Sequence, residues 1–174
     1  TEEKWNYMLE MRASGRDVVK DYADKFGVKF YPKARPWDIV PMDIAMPCAF
    51  QNEVSLENVQ NLIKNGCQIL AEVSNMGCTP EAFKLANAKM MYAPGKAVNA
   101  GGVAVSGLEM SQNSERLSWS AEEVDEKLKW IMTNIHSQCL AAAAEVGAPG
   151  NYAKGANIAG FRRVAEAMLE QGIV

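Results

Sequence analysis

Apolar residues near the amino terminus recur at helical spacing. Thr1 precedes two acidic residues and then an apolar pattern, which is typical of a helix start. A second apolar pattern stops at Gly27, as expected for a helix that ends at a glycine. Trp37 follows a turn and is expected to pack as an anchor. The predicted elements are helices over residues 1–11 and 18–26 and a short strand or extended segment over residues 28–32.

Short apolar runs alternate with amphipathic stretches in the middle of the chain. Pro47 should end the first run, because proline cannot donate within a sheet. Thr79 and Pro80 suit the N-cap and first turn of a helix. The predicted elements are a strand over residues 43–49, a helix over 56–65, a strand over 68–73, a helix over 81–88 and a strand over 89–93. This alternation predicts a parallel sheet covered by helices.

Amide side chains follow the predicted strands. Gln51 and Asn52 come after the first strand, Asn75 after the second and Asn99 after the third. An asparagine after a strand is usually a turn residue. In an open parallel sheet, however, ligands bind beyond the carboxyl ends of the strands. The pattern therefore leaves two interpretations, separate turn residues or one shared polar crevice.

The stretch over residues 94–110 is the first candidate for a ligand site. Asn99 precedes Ala100, Gly101 and Gly102, and an apolar helical pattern begins at Val103. A glycine turn that runs into a helix start can hold an anion or a nucleotide. The competing interpretation is that the glycines only turn the chain and that Ser106 is an ordinary helix hydroxyl.

Two long helices are predicted beyond this stretch. Ser120 and Glu123 form a capping box, and the apolar stripe that follows continues to about Leu140, with the helix ending near Gly147. The last helix, within residues 151–174, has a face of small residues that suits either close packing or a domain contact. Its apolar positions at core spacing are Phe161, Val164, Met168 and Leu169.

Composition narrows the class of protein. The chain has 174 residues, a net charge of −3 and no basic stripe, which argues against a nucleic-acid partner. No apolar run approaches the ~20 residues of a membrane span, so we expect no membrane partner and a cytoplasmic location. The four cysteines have no CxxC spacing and are expected to be reduced and buried, with no metal site.

Sequence motifs for independent catalysis are missing. No GxSxG elbow and no complete GxGxxG fingerprint occur, and the acidic residues fall mostly on helix starts and exposed faces. The chain begins with Thr1 and opens on a helix pattern without an earlier strand. We therefore expect it to be a piece of a longer protein whose first strand and glycine loop lie before Thr1.

Three ordered segments give the chain a family resemblance. These segments read DIAMPCAFQNE from Asp43, PGKAVNAGGVAVSGLEM from Pro94 and NYAKGANIAGFRRVAEAMLEQGIV from Asn151. Together they resemble the carboxyl-terminal, cofactor-binding part of the hexameric bacterial-type glutamate dehydrogenases. The resemblance implies an incomplete Rossmann-like α/β fold with long C-terminal helices. It also implies reversible oxidative deamination of L-glutamate to 2-oxoglutarate and ammonia, with NAD or NADP as cofactor.

The resemblance assigns roles to residues of this chain. Ser106 matches the serine that binds the side-chain carboxylate of glutamate, Val103 lies beside the substrate side chain, and Asn99 borders both substrate and cofactor. Cofactor contacts are implied for Asn75, Asn99, Cys48, Ala49 and Gln51. No catalytic residue is expected in this chain, because the family's catalytic lysine and aspartate belong to the other domain. Residues 1–110 would form the partial cofactor domain, and residues 111–174 a helical segment that packs on it and toward the absent substrate domain.

The sequence departs from the family pattern at the cofactor rim. Phe50 stands in place of the usual threonine, while Val73, Ser74 and Gly77 replace glycine, alanine and proline. These changes leave open a non-catalytic binding or assembly module that keeps the fold. A branched-chain or aromatic amino-acid dehydrogenase is the alternative within the same reaction class, since those relatives carry an apolar residue where Ser106 stands.

Overall fold

The computed structural model describes residues 1–16 and 18–172. The chain divides into two compact units, Thr1–Ile39 and Val40–Val174. Residues 173 and 174 of the last predicted helix lie outside the described residues. The predicted division at residue 110 falls within a helix of the second unit, and as a division of roles it stays a prediction.

The first unit contains three helices in its described residues. Tyr7, Tyr22 and Phe26 form an aromatic cluster, with ring centroids of Tyr22 and Phe26 4.8 Å apart. Trp37 is buried, as predicted. The helices are α1 (Glu2–Ala13), α2 (Val19–Phe26) and α3 (Pro36–Ile39).

Residues 28–32, predicted as a short strand or an extended segment, do not form a strand. Val28, Phe30 and Tyr31 are each more than a third exposed, and no strand within the described part of this unit pairs with them. The strand alternative was wrong because local strand propensity cannot supply a partner for the backbone groups.

The second unit is a small parallel sheet followed by helices. In its described residues the strand order is β1-β2-β3, with every pair parallel, which confirms the predicted α/β architecture. Leu70 of the central strand is completely buried, together with Ala45 beside it. The elements are β1 (Ile44–Ala45), α4 (Leu56–Lys64), β2 (Ile69–Ala71), α5 (Pro80–Lys89), β3 (Met91–Ala93), α6 (Gly95–Val98), α7 (Ala100–Glu115), α8 (Ala121–Glu145) and α9 (Tyr152–Gln171).

The first strand is shorter than predicted because the chain leaves the ladder close to Pro47. Pro47 has no N–H to donate, although its carbonyl still accepts from the N–H groups of Val73 and Ser74 at 3.0 and 2.9 Å. β1 therefore stops at Ala45, and residues beyond Pro47 turn away toward the ends of the other strands. The proline fixes where the strand-end loop begins.

The predicted glycine turn is helical. Gly101 and Gly102 lie in the first turn of α7, which begins at Ala100 rather than at Val103. A Cβ atom at Gly101 would lie 3.4 Å from both Leu128 and Met132 of α8. Gly101 thus allows α7 to approach α8, and the prediction of a turn was wrong because it considered only the weak helix propensity of glycine.

The last two helices pack closely against each other. The Ser120 capping box is present, with the Ser120 hydroxyl accepting from the Glu123 N–H at 3.2 Å. Gly155 of α9 lies directly against the Cys139 carbonyl of α8. Close packing is therefore the role of this part of the small-residue face.

The apolar stripe at the end of α9 is exposed, in contrast to its predicted place in a core. The four apolar side chains of this stripe are between 59% and 83% exposed. Helical periodicity identified the face but could not show whether this chain covers it. The residues of this stripe are Phe161, Val164, Met168 and Leu169.

The cysteines are all free, and three of them are buried. Cys48 is exposed, so the expectation of burial was wrong for that residue, which lies in the irregular segment after β1. Within residues 1–16 and 18–172, no helix combines the length and apolar character of a membrane span.

Candidate functional site

An open cleft of about 710 Å³ lies at the carboxyl ends of the three strands. The segments after β1, β2 and β3 supply its walls, together with the start of α7. Parallel strands place these segments at one edge of the sheet, where ligands of open α/β folds bind. The lining residues are Cys48, Ala49, Phe50, Gln51, Val73, Ser74, Asn75, Asn99 and Val103.

Six of the seven residues singled out in the sequence line this cleft. They come from three separate segments of the chain and are Cys48, Ala49, Gln51, Asn75, Asn99 and Val103. The structure does not place the seventh, Ser106, in the cleft lining. Ser106 lies one helical turn beyond Val103 on α7, where it is exposed and its hydroxyl donates to the Gly102 carbonyl at 3.4 Å.

Asn75 and Asn99 form a direct amide pair in the cleft. The Asn99 Nδ2 donates to the Asn75 Oδ1 at 2.6 Å. This bond uses one side-chain donor of Asn99 and the side-chain oxygen of Asn75. The side-chain oxygen of Asn99 and the side-chain amino group of Asn75 can therefore still form hydrogen bonds with a ligand. The pair can therefore offer both an acceptor and donors to a polar ligand group.

Asn52 does not contribute to the cleft lining. Its backbone is left-handed, with φ 58°, and its N–H donates to the Met76 carbonyl at 2.8 Å. Asparagine tolerates this conformation better than most residues. For Asn52, the turn interpretation is the correct one.

A buried carboxylate shapes the loop after β1. Glu53 is 6% exposed, and its Oε1 accepts from the Ala49 N–H at 2.8 Å and from the Ser74 hydroxyl at 3.2 Å. The Phe50 N–H lies 3.4 Å from the same oxygen. Glu53 thereby joins the loop after β1 to the loop after β2.

A second buried carboxylate lies at the end of β2. Glu72 is 5% exposed and accepts from the N–H groups of Cys78 and Gly95 at 2.7 and 3.2 Å. The Tyr92 hydroxyl and the Cys78 thiol also interact with it electrostatically. Burial raises the pKa of Tyr92 and the pKa of Cys78, and the adjacent carboxylate raises them further, so both groups remain neutral donors near neutral pH.

Sequence reasoning missed both carboxylates as organisers of the site. It assigned acidic residues mainly to helix starts and exposed faces, which is wrong for Glu53 and Glu72. The available signal was position, since Glu72 follows the apolar run of β2 directly and Glu53 lies two residues after Gln51 of the cleft lining. A buried carboxylate needs several donors, and here parallel pairing brings them from distant segments.

Gly77 and Ser74 are sterically coupled. A Cβ atom at Gly77 would lie 2.7 Å from the Ser74 Oγ. We expect Gly77→Ala to displace the Ser74 hydroxyl from Glu53 and to lower the free energy of unfolding by about 1 kcal/mol, the net worth of a typical hydrogen bond. Denaturation midpoints of the wild type, of Gly77→Ala, of Ser74→Ala and of the double variant would measure this effect.

Ser74→Ala provides the matched background for Gly77→Ala. In that background the added methyl group no longer meets a hydroxyl, so the second substitution should cost nothing further. An equal loss from Gly77→Ala in both backgrounds would contradict the steric coupling.

Within the described ranges 1–16 and 18–172, no group of three or more His, Cys, Asp or Glu side chains is arranged to hold a metal ion. Lys96 lies three residues before Asn99 in the sequence, and its Nζ donates to the Asn157 Oδ1 of α9 at 2.6 Å. The cleft is thus lined by neutral amide, hydroxyl, thiol and apolar groups.

Comparison with known proteins identifies relatives along the whole chain. The chain is 60% identical over 174 residues to an NAD-specific glutamate dehydrogenase of Bacteroides fragilis, and the match covers 99% of this chain and 39% of that protein. It is 50% identical to an NADP-specific glutamate dehydrogenase of Haemophilus influenzae over 99% of this chain and 39% of that protein. A solved glutamate dehydrogenase structure matches with a TM-score of 0.96 and 57% identity, over 100% of this chain and 39% of the other.

The chain spans about two-fifths of the length of these relatives. A family model described as Glutamate/Leucine/Phenylalanine/Valine dehydrogenase matches residues 3–172. The parallel sheet, the strand-end cleft and the sequence identity agree, and the chain belongs to the Glutamate/Leucine/Phenylalanine/Valine dehydrogenase family.

Proposed function

We propose that this chain is the cofactor-binding part of a glutamate dehydrogenase. The whole protein would interconvert L-glutamate with 2-oxoglutarate and ammonia, using NAD or NADP. The observation that carries this proposal is the strand-end cleft, which collects Cys48, Ala49, Gln51, Asn75 and Asn99 from three segments. The names of the relatives, some NAD-specific and others NADP-specific, support both cofactors as candidates.

The donor set of the cleft suits a nicotinamide ring. Val73, Val103 and the half-exposed Phe50 supply apolar surface, while the Asn75–Asn99 pair supplies donors and an acceptor for a carboxamide. The bound cofactor would supply hydride transfer, and the protein would orient its ring. We assign Cys48, Ala49 and Gln51 to the opposite wall, along the loop after β1.

Ser106 and Val103 are proposed to bind the substrate. Both lie on the same face of α7, with Val103 at the edge of the cleft and 74% exposed. A serine hydroxyl can donate to the side-chain carboxylate of glutamate, while valine packs against its methylenes. Asn99, at the N-cap of α7, would lie between substrate and cofactor.

We propose that the site is completed by a second wall from outside the described residues. The α7 face that carries Val103 and Ser106 continues to Met110, which is 73% exposed. We propose that the missing part of the longer protein covers this face and supplies the catalytic lysine and aspartate. Residues 1–110 would then serve as the cofactor part, and residues 111–174 would extend toward the substrate domain through the exposed stripe of α9.

Activity and cofactor binding together test the proposal. The full-length protein should reduce NAD or NADP in the presence of L-glutamate, whereas the 174-residue chain alone should show no steady turnover. Calorimetric titration of NAD and NADP into the full-length protein should give heat of binding for at least one of them. Absence of heat at millimolar cofactor would favour a non-catalytic binding or assembly module instead.

The family description also names dehydrogenases of leucine, phenylalanine and valine. An amino-acid dehydrogenase for an apolar substrate is therefore the second candidate. The polar Ser106 on the exposed face of α7 favours glutamate. Parallel assays with glutamate, leucine, valine and phenylalanine would distinguish the two candidates by their kcat/KM values.

We further propose a cytoplasmic homo-oligomer, and in the full-length protein a hexamer. Free cysteines, none of them in a disulfide, are typical of a reducing compartment. The hexamer rests on the family resemblance, and the mass of the full-length protein in solution would test it.

A further inference from the structure

The Asn75–Asn99 pair depends on the relative position of two segments. Asn75 lies in the loop over residues 74–77, and Asn99 lies at the end of the short helix α6. Their amides are 2.6 Å apart, a distance that a small shift of either segment would break. The contact therefore depends on the groups that position the two segments.

Glu72 forms hydrogen bonds just after the loop that carries Asn75 and at the first residue of the helix that leads to Asn99. Its Oε1 accepts from the N–H of Cys78, which follows the loop that carries Asn75. Its Oε2 accepts from the N–H of Gly95, the first residue of α6. One carboxylate thus connects the two segments, with bonds of 2.7 and 3.2 Å.

The carboxylate is itself fixed in position. Glu72 follows β2 directly, and its N–H donates to the Ala93 carbonyl at 3.0 Å. The Tyr92 hydroxyl of β3 interacts electrostatically with the carboxylate as well. With only 5% of Glu72 exposed, water cannot readily replace these donors. Glu72 is not among the residues that line this cleft, although it lines the neighbouring pocket together with Asn75 and Gly95.

We propose that Glu72 is a positioning residue that sets the distance between Asn75 and Asn99 and thereby the affinity of the cleft for a nicotinamide cofactor. This inference rests on the proposed function of the cleft. It assigns to Glu72 a role in binding that acts entirely through the two asparagines.

Glutamine is the informative replacement at this position. Glu72→Gln keeps the shape of the side chain but turns one acceptor oxygen into an amino group, which cannot accept from a backbone N–H. Either the Cys78 or the Gly95 contact is then lost, and a buried donor is left without its partner. The two asparagine segments should move apart while the sheet itself remains.

The experiment is a double-mutant cycle in the full-length protein, read as the Kd for NAD and NADP by calorimetry. We expect Glu72→Gln to weaken binding of the preferred cofactor about tenfold, in the range of coupled hydrogen-bond networks. In an Asn99→Ala background, where the pair is already absent, Glu72→Gln should change the Kd less than twofold. Equal losses in the two backgrounds would overturn the inference.

Tyr92→Phe is the matched control. It removes a hydroxyl that interacts electrostatically with the same carboxylate but leaves both backbone contacts in place. We expect this variant to lower the thermal midpoint and to keep the cofactor Kd within twofold of wild type. A tenfold weaker Kd in Tyr92→Phe would show that any damage near Glu72 weakens binding, which would contradict a specific positioning role.

Glu72→Asp covers the case in which the glutamine variant does not fold. Aspartate retains both acceptor oxygens but is one methylene shorter, so it should weaken cofactor binding and show the same dependence on Asn99. An Asp variant that binds cofactor like wild type would overturn the inference. If wild type binds neither NAD nor NADP, the proposed function itself fails, and that result is distinct from a failure of the Glu72 inference alone.

Discussion

Gly155→Ala is expected to destabilise the protein more than any other single methyl addition at a described glycine. The added Cβ would lie 2.0 Å from the Cys139 carbonyl oxygen and 2.8 Å from its carbon. These atoms belong to the backbone of α8, so no side chain can rotate away. We expect a loss of about 3 kcal/mol in the free energy of unfolding, at the upper end of typical overpacking costs.

Gly160→Ala is the matched control on the same helix. A Cβ atom at Gly160 meets nothing within 4 Å. Because alanine favours helix more than glycine does, this variant should be unchanged or more stable by up to about 1 kcal/mol. Thermal and urea denaturation of both variants measure the difference, and similar midpoints for the two would contradict the close contact between α8 and α9.

Ser106→Val should damage glutamate turnover far more than turnover of an apolar amino acid such as norvaline or leucine. A hydrogen bond to a charged group is worth about 1.5–3 kcal/mol. Its loss corresponds to a decrease of about 10- to 150-fold in kcat/KM for glutamate. The measurement is kcat/KM of the full-length protein for glutamate and for one apolar amino acid, norvaline or leucine.

Ser111→Val is the control for the effect of valine on α7. Ser111 is also exposed, and its hydroxyl donates to the Gly107 carbonyl at 3.0 Å, so both serines make the same kind of helix contact. It lies beyond the residues proposed to touch substrate and should leave the ratio of the two kcat/KM values unchanged. If Ser106→Val lowers kcat/KM equally for glutamate and the apolar substrate, Ser106 is structural.

Features with a local cause were predictable from the sequence. Thr79 caps α5 through its own side chain, which accepts from the Ala82 N–H at 3.3 Å. Gly27 ends α2 in the left-handed conformation. Each depends on residues within one turn, so short patterns contain the information that determines it. The parallel sheet was predictable for a related reason, since alternating strands and helices permit few connections.

Features that depend on distant segments were not predictable from such patterns. Glu53 and Glu72 look like other acidic residues until the sheet brings backbone donors to them. Gly101 indicated a turn by its propensity, but its packing against α8 makes it helical. Gln51, Asn75 and Asn99 were nevertheless expected in one crevice, because strand ends in a parallel sheet converge, and all three line the cleft. The family resemblance added Cys48, Ala49 and Val103, and the binding roles of all six stay predictions.

The exposure of Cys48 makes the cleft accessible to chemical labelling. The other three thiols of this chain are buried, whereas Cys48 lies in the cleft wall with its sulfur 3.1 Å from the Met46 carbonyl. Thiol reagents react with accessible cysteines in preference to buried ones. The rate at which a small thiol reagent modifies Cys48 should therefore fall when a ligand fills the cleft, and it reports on occupancy without removal of the remaining cysteines of the chain.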